Sequence, residues 1–125
     1  MENKKILICD DSKFMRMMLK DIIENMGVLK SNIFEAEDGK VGVEKYNEIK
    51  PDAMLMDITM PVMDGILAMK QILKENSQAK IVILSAMGQQ ENVKEALENG
   101  AKDFVVKPFK RERIEDVIKK VVNEE

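Results

Sequence analysis

Carboxylates stand at two places in this sequence where they could do chemistry together, the pair Asp10-Asp11 and the single Asp57, and a hydroxyl at Ser85 and an amine at Lys107 extend the set. Each follows directly on a short aliphatic run: Ile6 to Cys9, Ala53 to Met56, Ile81 to Leu84 and Phe104 to Val106. Taken singly, Asp10 or Asp11 reads more readily as a helix cap, and Asp57, Ser85 or Lys107 as an ordinary loop residue. At the ends of four separate runs they are hard to explain as caps, because side chains at the carboxyl ends of neighbouring parallel strands converge on one small site. Three carboxylates gathered there repel one another, and a hard divalent cation that accepts oxygen ligands and keeps waters, Mg²⁺ above all, relieves the repulsion. A phosphoryl group completes the shell of such an ion, and aspartate is an established nucleophile toward phosphorus. Lys107 supplies positive charge and Ser85 a hydroxyl for the phosphoryl oxygens. The chemistry indicated is phosphoryl transfer to Asp57.

The segments that would carry these side chains alternate between aliphatic runs and stretches of helical spacing, the pattern of an α/β protein with a parallel sheet covered by helices. Phe14, Met15, Met18, Leu19, Ile22, Ile23 and Met26 mark one face of a first helix that Gly27 can stop. Ile33 to Ala36 predicts a second strand, Asp38-Gly39 a turn, and Lys40 to Ile49 a helix ending before Pro51, with Gly42 lowering its intrinsic stability. Ile66, Met69, Ile72 and Leu73 give a third helical face, Val93, Ala96 and Leu97 a fourth stopped by Gly100, and Ile114, Val117, Ile118, Val121 and Val122 a fifth. Five strand-helix units account for the chain without a linker or low-complexity segment.

With 125 residues the chain fits one domain, and 45% hydrophobic and 34% charged residues suit a globular fold. A net charge of −3 and a pI near 5.2 offer no basic field for a phosphate backbone, so nucleic acid is not an expected partner. Cys9 is the only cysteine, which excludes an intrachain disulfide and suits the cytoplasm. No stretch reads as a signal peptide or membrane span. Eleven methionines are many for this length, and most are expected to be flexible core filler.

The segments ILICDDS, MDITMPVMDG, ILSAMG and DFVVKPF resemble those of two-component response-regulator receivers, and the resemblance covers residues 1–125 as a single receiver domain. FMRMMLKDII and SAMGQQ are similar to the single-domain chemotaxis branch of that family. The resemblance implies a flavodoxin-like (βα)5 doubly wound sheet in the order 2-1-3-4-5. It makes Asp57 the phosphoacceptor, with Asp11, Asp57 and the Thr59 carbonyl as Mg²⁺ ligands and Asp10 acting mostly through water. Ser85, Ala86, Lys107 and Phe104 become the phosphoryl-binding and switch set, and the peptide before Pro108 is expected to be cis. Phe104 stands where many chemotaxis regulators carry tyrosine, so a switch through a phenolic hydroxyl is not expected. Thr59 and Met87 lie where family members differ in orienting the hydrolytic water, and Met87 has no donor, so slow self-dephosphorylation assisted by a phosphatase is expected.

The implied phosphodonor is a sensor histidine kinase, since no GxxxxGK loop or kinase signature is present. The chain is expected to be a monomer that catalyses only its own modification. Its implied output surface is the fourth helix, fifth strand and fifth helix, with Gln90, Lys94 and Phe104 on it, and its target a flagellar switch protein or an archaeal motor adaptor, or a component of a phosphorelay outside motility. Two other classes compete. A small Asp-nucleophile phosphohydrolase would place DxDxT after the first strand, where this chain has DDS, and a flavin carrier would not place Asp10 and Asp11 against a flavin phosphate.

Overall fold

The computed structural model describes residues 1–124. Five short segments, β1 (Ile6–Cys9), β2 (Ile33–Ala36), β3 (Ala53–Asp57), β4 (Ile81–Ser85) and β5 (Asp103–Val106), pair in parallel in the order β2-β1-β3-β4-β5. The helices between and after them are α1 (Lys13–Asn25), α2 (Gly39–Ile49), α3 (Gly65–Glu75), α4 (Gln90–Glu98) and α5 (Arg111–Asn123). This is the flavodoxin-like α/β order, in which β1 and β3 flank the point where the chain reverses its direction of winding.

Strand side chains alternate between faces, so each central strand feeds two cores. Ile6, Ile8, Leu55, Val82 and Leu84 join Leu19, Ile22, Ile23, Ile114, Val117 and Ile118 beneath α1 and α5. Leu7, Cys9, Met54, Met56, Ile81 and Ile83 join Met69, Ile72, Val93 and Ala96 on the opposite side, under α2, α3 and α4. Burial on both faces explains why these strands read as continuous aliphatic runs instead of alternating ones.

Helix starts follow local chemistry. Ser12, Asp38 and Asp64 each accept a hydrogen bond from the backbone N–H three residues on, at Met15, Val41 and Leu67. Ser12 therefore caps α1, and neither Asp10 nor Asp11 is needed for that task. Gly42 is tolerated in α2 because the helix passes close over β1: a Cβ there would lie 2.8 Å from the Cys9 sulfur. Cys9 itself is buried, its thiol donating to the Asp38 carbonyl at 3.2 Å, and burial, followed by the charges of Asp38, Asp10 and Asp57, pushes its pKa up to about 12.

One expectation needs correction. The apolar face of α1 is narrower than its spacing predicts: Phe14 is 72% exposed and Met18 is also exposed, while Met15, Leu19, Ile22, Ile23 and Met26 pack on the core. Methionine is mostly core filler, as expected: Met54, Met56, Met60 and Met69 are buried and Met15, Met26 and Met63 pack against the two cores, while Met1, Met17, Met18 and Met87 face solvent. A short 3₁₀ turn at Lys30–Asn32, before β2, had no periodic signal.

The loop from β3 to α3 contains a strained position. Val62 has φ of 69° and is 76% exposed, and the Met63 N–H closes a tight turn onto the Pro61 carbonyl at 2.7 Å. A β-branched residue gains nothing there to offset the left-handed backbone, which costs about 1–2 kcal/mol. Val62→Asn is expected to raise the unfolding free energy by about 1 kcal/mol, measured by urea titration, and Val62→Ile to leave it unchanged.

Candidate functional site

The carboxyl ends of β1, β3, β4 and β5 form one edge, and the polar residues that end them meet there. Oxygen atoms of Asp10, Asp11 and Asp57 lie within 4.8 Å of one another. Asp10 is 0% and Asp57 7% exposed, whereas Asp11 faces solvent. Both oxygens of Asp10 are occupied: Oδ1 accepts from the Ser12 N–H at 2.9 Å and Oδ2 from Lys107 Nζ at 3.0 Å. Arg16, on the first turns of α1, donates to the Asp10 carbonyl at 2.6 Å while its Nε pairs with Glu35 at 3.0 Å, fixing the end of β1 to β2.

Asp57 is held by its own backbone neighbour, with Oδ1 accepting from the Ile58 N–H at 2.9 Å and lying 3.3 Å from Lys107 Nζ. Its other oxygen, Oδ2, has no protein donor among the described residues. Burial, and then the negative charge of Asp10, raises the Asp57 pKa to about 6 against the opposing pull of Lys107 and the Ile58 N–H. Lys107 shows the complementary effect. Burial works against its charge, but the hydrogen bond to Asp10 and the charges of Asp57 and Asp10 outweigh it, and its pKa is raised. The lysine reaches this position from the end of β5, where its N–H donates to the Ser85 carbonyl at 2.7 Å and the Lys107–Pro108 peptide is cis.

The remaining candidates surround this centre. Ser85 ends β4 and is 1% exposed, Ala86 begins the loop that follows, and Thr59 lies in the loop beyond β3. Phe104 is half-buried in β5, three positions past Ala101. It lines an apolar cavity of about 470 Å³ together with Ser85, Ala86, Met87, Val93 and Leu97. The structure thus brings Asp10, Asp11, Asp57 and Lys107 into direct contact range and sets Thr59, Ser85 and Ala86 on the loops and strand ends beside them.

Three carboxylates facing a single ammonium form a set with excess negative charge, and the charge of Asp10 adds to burial in raising the Asp57 pKa. That donor set fits a hard divalent cation, with Asp11 and Asp57 the two carboxylates least committed to protein donors. Two contributors escaped sequence reasoning. Arg16 carries no motif of its own, because its bond to the Asp10 carbonyl depends on how α1 crosses the sheet. Gln89 bridges the two loops nearest Asp57, through the Ala86 N–H at 2.7 Å and the Thr59 hydroxyl at 2.9 Å.

Comparison with known proteins agrees with this arrangement. The profile of the response regulator receiver domain matches residues 6–119. The chain is 54% identical to the Chemotaxis protein CheY of Thermotoga maritima over 118 residues, 94% of this chain and 97% of that protein. It is 52% identical to the Chemotaxis protein CheY of Bacillus subtilis over 119 residues, 95% and 98% of the two chains. The crystal structure of a CheX-CheY-BeF3-Mg+2 complex from Borrelia burgdorferi superposes with a TM-score of 0.89 at 35% identity, covering 97% of this chain and 90% of that one. Strand order, the acidic cluster at the strand ends and this similarity along nearly the whole chain agree, and the chain belongs to the response regulator receiver domain family.

Proposed function

We propose that residues 1–125 form a single receiver domain acting as a phosphorylation-dependent response regulator, with Asp57 as the phosphoacceptor. The observation that carries this reading is the carboxylate cluster within 4.8 Å, bridged by Lys107 Nζ between Asp10 and Asp57. Asp11, Asp57 and the Thr59 carbonyl would hold Mg²⁺, with Asp10 acting through a bound water. When bound, the ion neutralises charge on the phosphoryl oxygens and fixes their orientation for in-line transfer.

The chain's own residues do the rest. Asp57 Oδ2, the oxygen without a protein donor, attacks phosphorus. An O–P bond forms as the bond to the donor's imidazole nitrogen breaks, and that nitrogen keeps the electron pair. Lys107 is already placed to shift from the carboxylates to a phosphoryl oxygen, and the Ser85 hydroxyl and Ala86 N–H offer two further donors. Drawing Ser85 and its loop toward the phosphoryl group opens the side of β4 next to the apolar cavity, into which the Phe104 ring can turn. The output surface is then α4, β5 and α5, including Gln90 and Lys94.

The partners follow from the same reading. A sensor histidine kinase supplies the phosphoryl group, and the similarity to chemotaxis CheY proteins favours a flagellar switch protein or an archaeal motor adaptor as the target of the phosphorylated form. Met87, exposed and without a donor, leaves hydrolysis slow enough for a phosphatase to matter, and the CheX-bound Borrelia structure shows one kind of partner that a similar chain engages. A cytoplasmic monomer suits these roles, and among the described residues no helix is long and apolar enough to cross a membrane.

Incubation with Mg²⁺ and acetyl phosphate, followed by intact mass measurement, tests the proposal. Wild type is expected to gain one phosphoryl group, and Asp57→Asn or wild type in EDTA none. Equal uptake by the Asp57→Asn variant would move the acceptor elsewhere.

A further inference from the structure

Gln89 ties together the two loops that face Asp57. Its Oε1 accepts from the Ala86 N–H at 2.7 Å, and its Nε2 donates to the Thr59 hydroxyl at 2.9 Å. Although Gln89 sits at the cap position of α4, its side chain makes no capping bond to that helix. Both polar ends of the carboxamide are instead spent across the site's rim.

Ala86 is the first residue past β4, and Leu84 registers opposite Asp57. On the reading proposed above, the Ala86 N–H is one of the donors a phosphoryl oxygen on Asp57 needs. A backbone N–H carries one hydrogen, so the carboxamide of Gln89 and an incoming phosphoryl oxygen compete for it. We propose that Gln89 is a positioning residue that holds the Ala86 N–H and Thr59 in the unphosphorylated arrangement, and that phosphorylation displaces its carboxamide from both. This inference rests on the assignment of Asp57 as phosphoacceptor.

Three features support it. A charged phosphoryl oxygen outcompetes a neutral carboxamide for the same donor, so the exchange runs in the required direction. A polar cavity of about 530 Å³, lined by Thr59, Asp64, Lys70, Gln89, Asn92 and Glu95, adjoins the contact and gives the released side chain room to turn. The segment between Ala86 and Gln89 includes Gly88 at φ of 91°, with open space where a Cβ would stand, so no neighbour on that side resists movement of the loop. A contact made in only one of two states biases the equilibrium toward that state by its own strength. Removing Gln89 should therefore favour the phosphorylated arrangement.

The test is calorimetric titration of the Mg²⁺-loaded chain with beryllium fluoride, a phosphoryl mimic, on wild type, Gln89→Ala and Gln89→Met. Both variants are expected to bind about threefold to tenfold more tightly than wild type, the worth of one or two exposed hydrogen bonds. A purely structural role would weaken binding or leave it alone. In ¹⁵N spectra of the wild type, the side-chain NH₂ of Gln89 and the amide of Ala86 are expected to shift together on saturation, an outcome that can be read even if a variant fails to fold. Unchanged affinity in folded variants, or a Gln89 NH₂ resonance that ignores beryllium fluoride, overturns the tie while leaving the receiver assignment standing. A wild type that binds no beryllium fluoride overturns that assignment, and the tie with it.

Discussion

Gly65→Ala is expected to cost the fold about 3 kcal/mol or more, the largest stability effect of any single methyl added near the site. The first residue of α3 passes so close to the end of β3 that a Cβ would stand 1.8 Å from the Asp57 carbonyl oxygen and 2.8 Å from its carbonyl carbon. Those atoms are backbone, so no side-chain rotation relieves the clash. The Gly65 N–H also donates to the Ile58 carbonyl at 2.7 Å, and moving the helix away breaks that bond. Total stabilities of domains this size are about 5–15 kcal/mol, so the loss lowers the urea midpoint substantially. Because the displaced backbone belongs to Asp57 itself, the folded fraction should also lose phosphoryl uptake from acetyl phosphate. A midpoint within error of wild type would show that the loop can relax without harm.

Asp57→Asn is expected to stabilise the metal-free protein at neutral pH, and the gain should depend on pH. The carboxyl keeps its proton up to about pH 6 in the folded chain but releases it near 3.8 when unfolded. Between those values the folded state binds more protons than the unfolded one, so stability falls as pH rises through this window. Below 3.8 the group is neutral in both states and contributes no penalty. Above 6 the folded chain carries the full cost of an ionised, buried carboxylate beside Asp10, about 2–3 kcal/mol. Asparagine has no such titration. Urea titrations in EDTA should show the variant about 2 kcal/mol more stable than wild type at pH 7.5 and the two converging near pH 4. Excess Mg²⁺ should narrow the difference at pH 7.5 if the ion binds as proposed, because only the wild type retains all three carboxylates. A gap independent of pH would mean that Asp57 is not held under electrostatic strain.

The strands were legible because burial on both faces leaves a continuous aliphatic run, and their ends because each run stops at a charged or hydroxylated residue. Ile6–Cys9 and Ile33–Ala36 match the expected bounds, and the other strands and helices differ by a residue or a few at their ends, where capping decides. The acidic site was legible for the same reason: parallel pairing turns strand ends that are far apart in sequence into neighbours. Other features were not. The spacing of α1 marks Phe14 as apolar but cannot show that its ring faces solvent while Met15 beside it packs on the core. The bonds of Arg16 to Asp10 and of Gln89 to Ala86 and Thr59 depend on loop paths and helix crossing, which leave no period in the sequence.

Cys9 lies one residue before Asp10, with its sulfur under α2 and its proton directed at the Asp38 carbonyl. Peroxides and mixed disulfides react with the thiolate, a form that a pKa pushed up to about 12 keeps scarce at any cellular pH. The chain's sole sulfhydryl is thereby insulated from oxidative stress, although it adjoins the acidic cluster at the strand ends. A reporter label attached at a cysteine introduced on the surface would consequently report on its own position, with no competing reaction from inside the molecule.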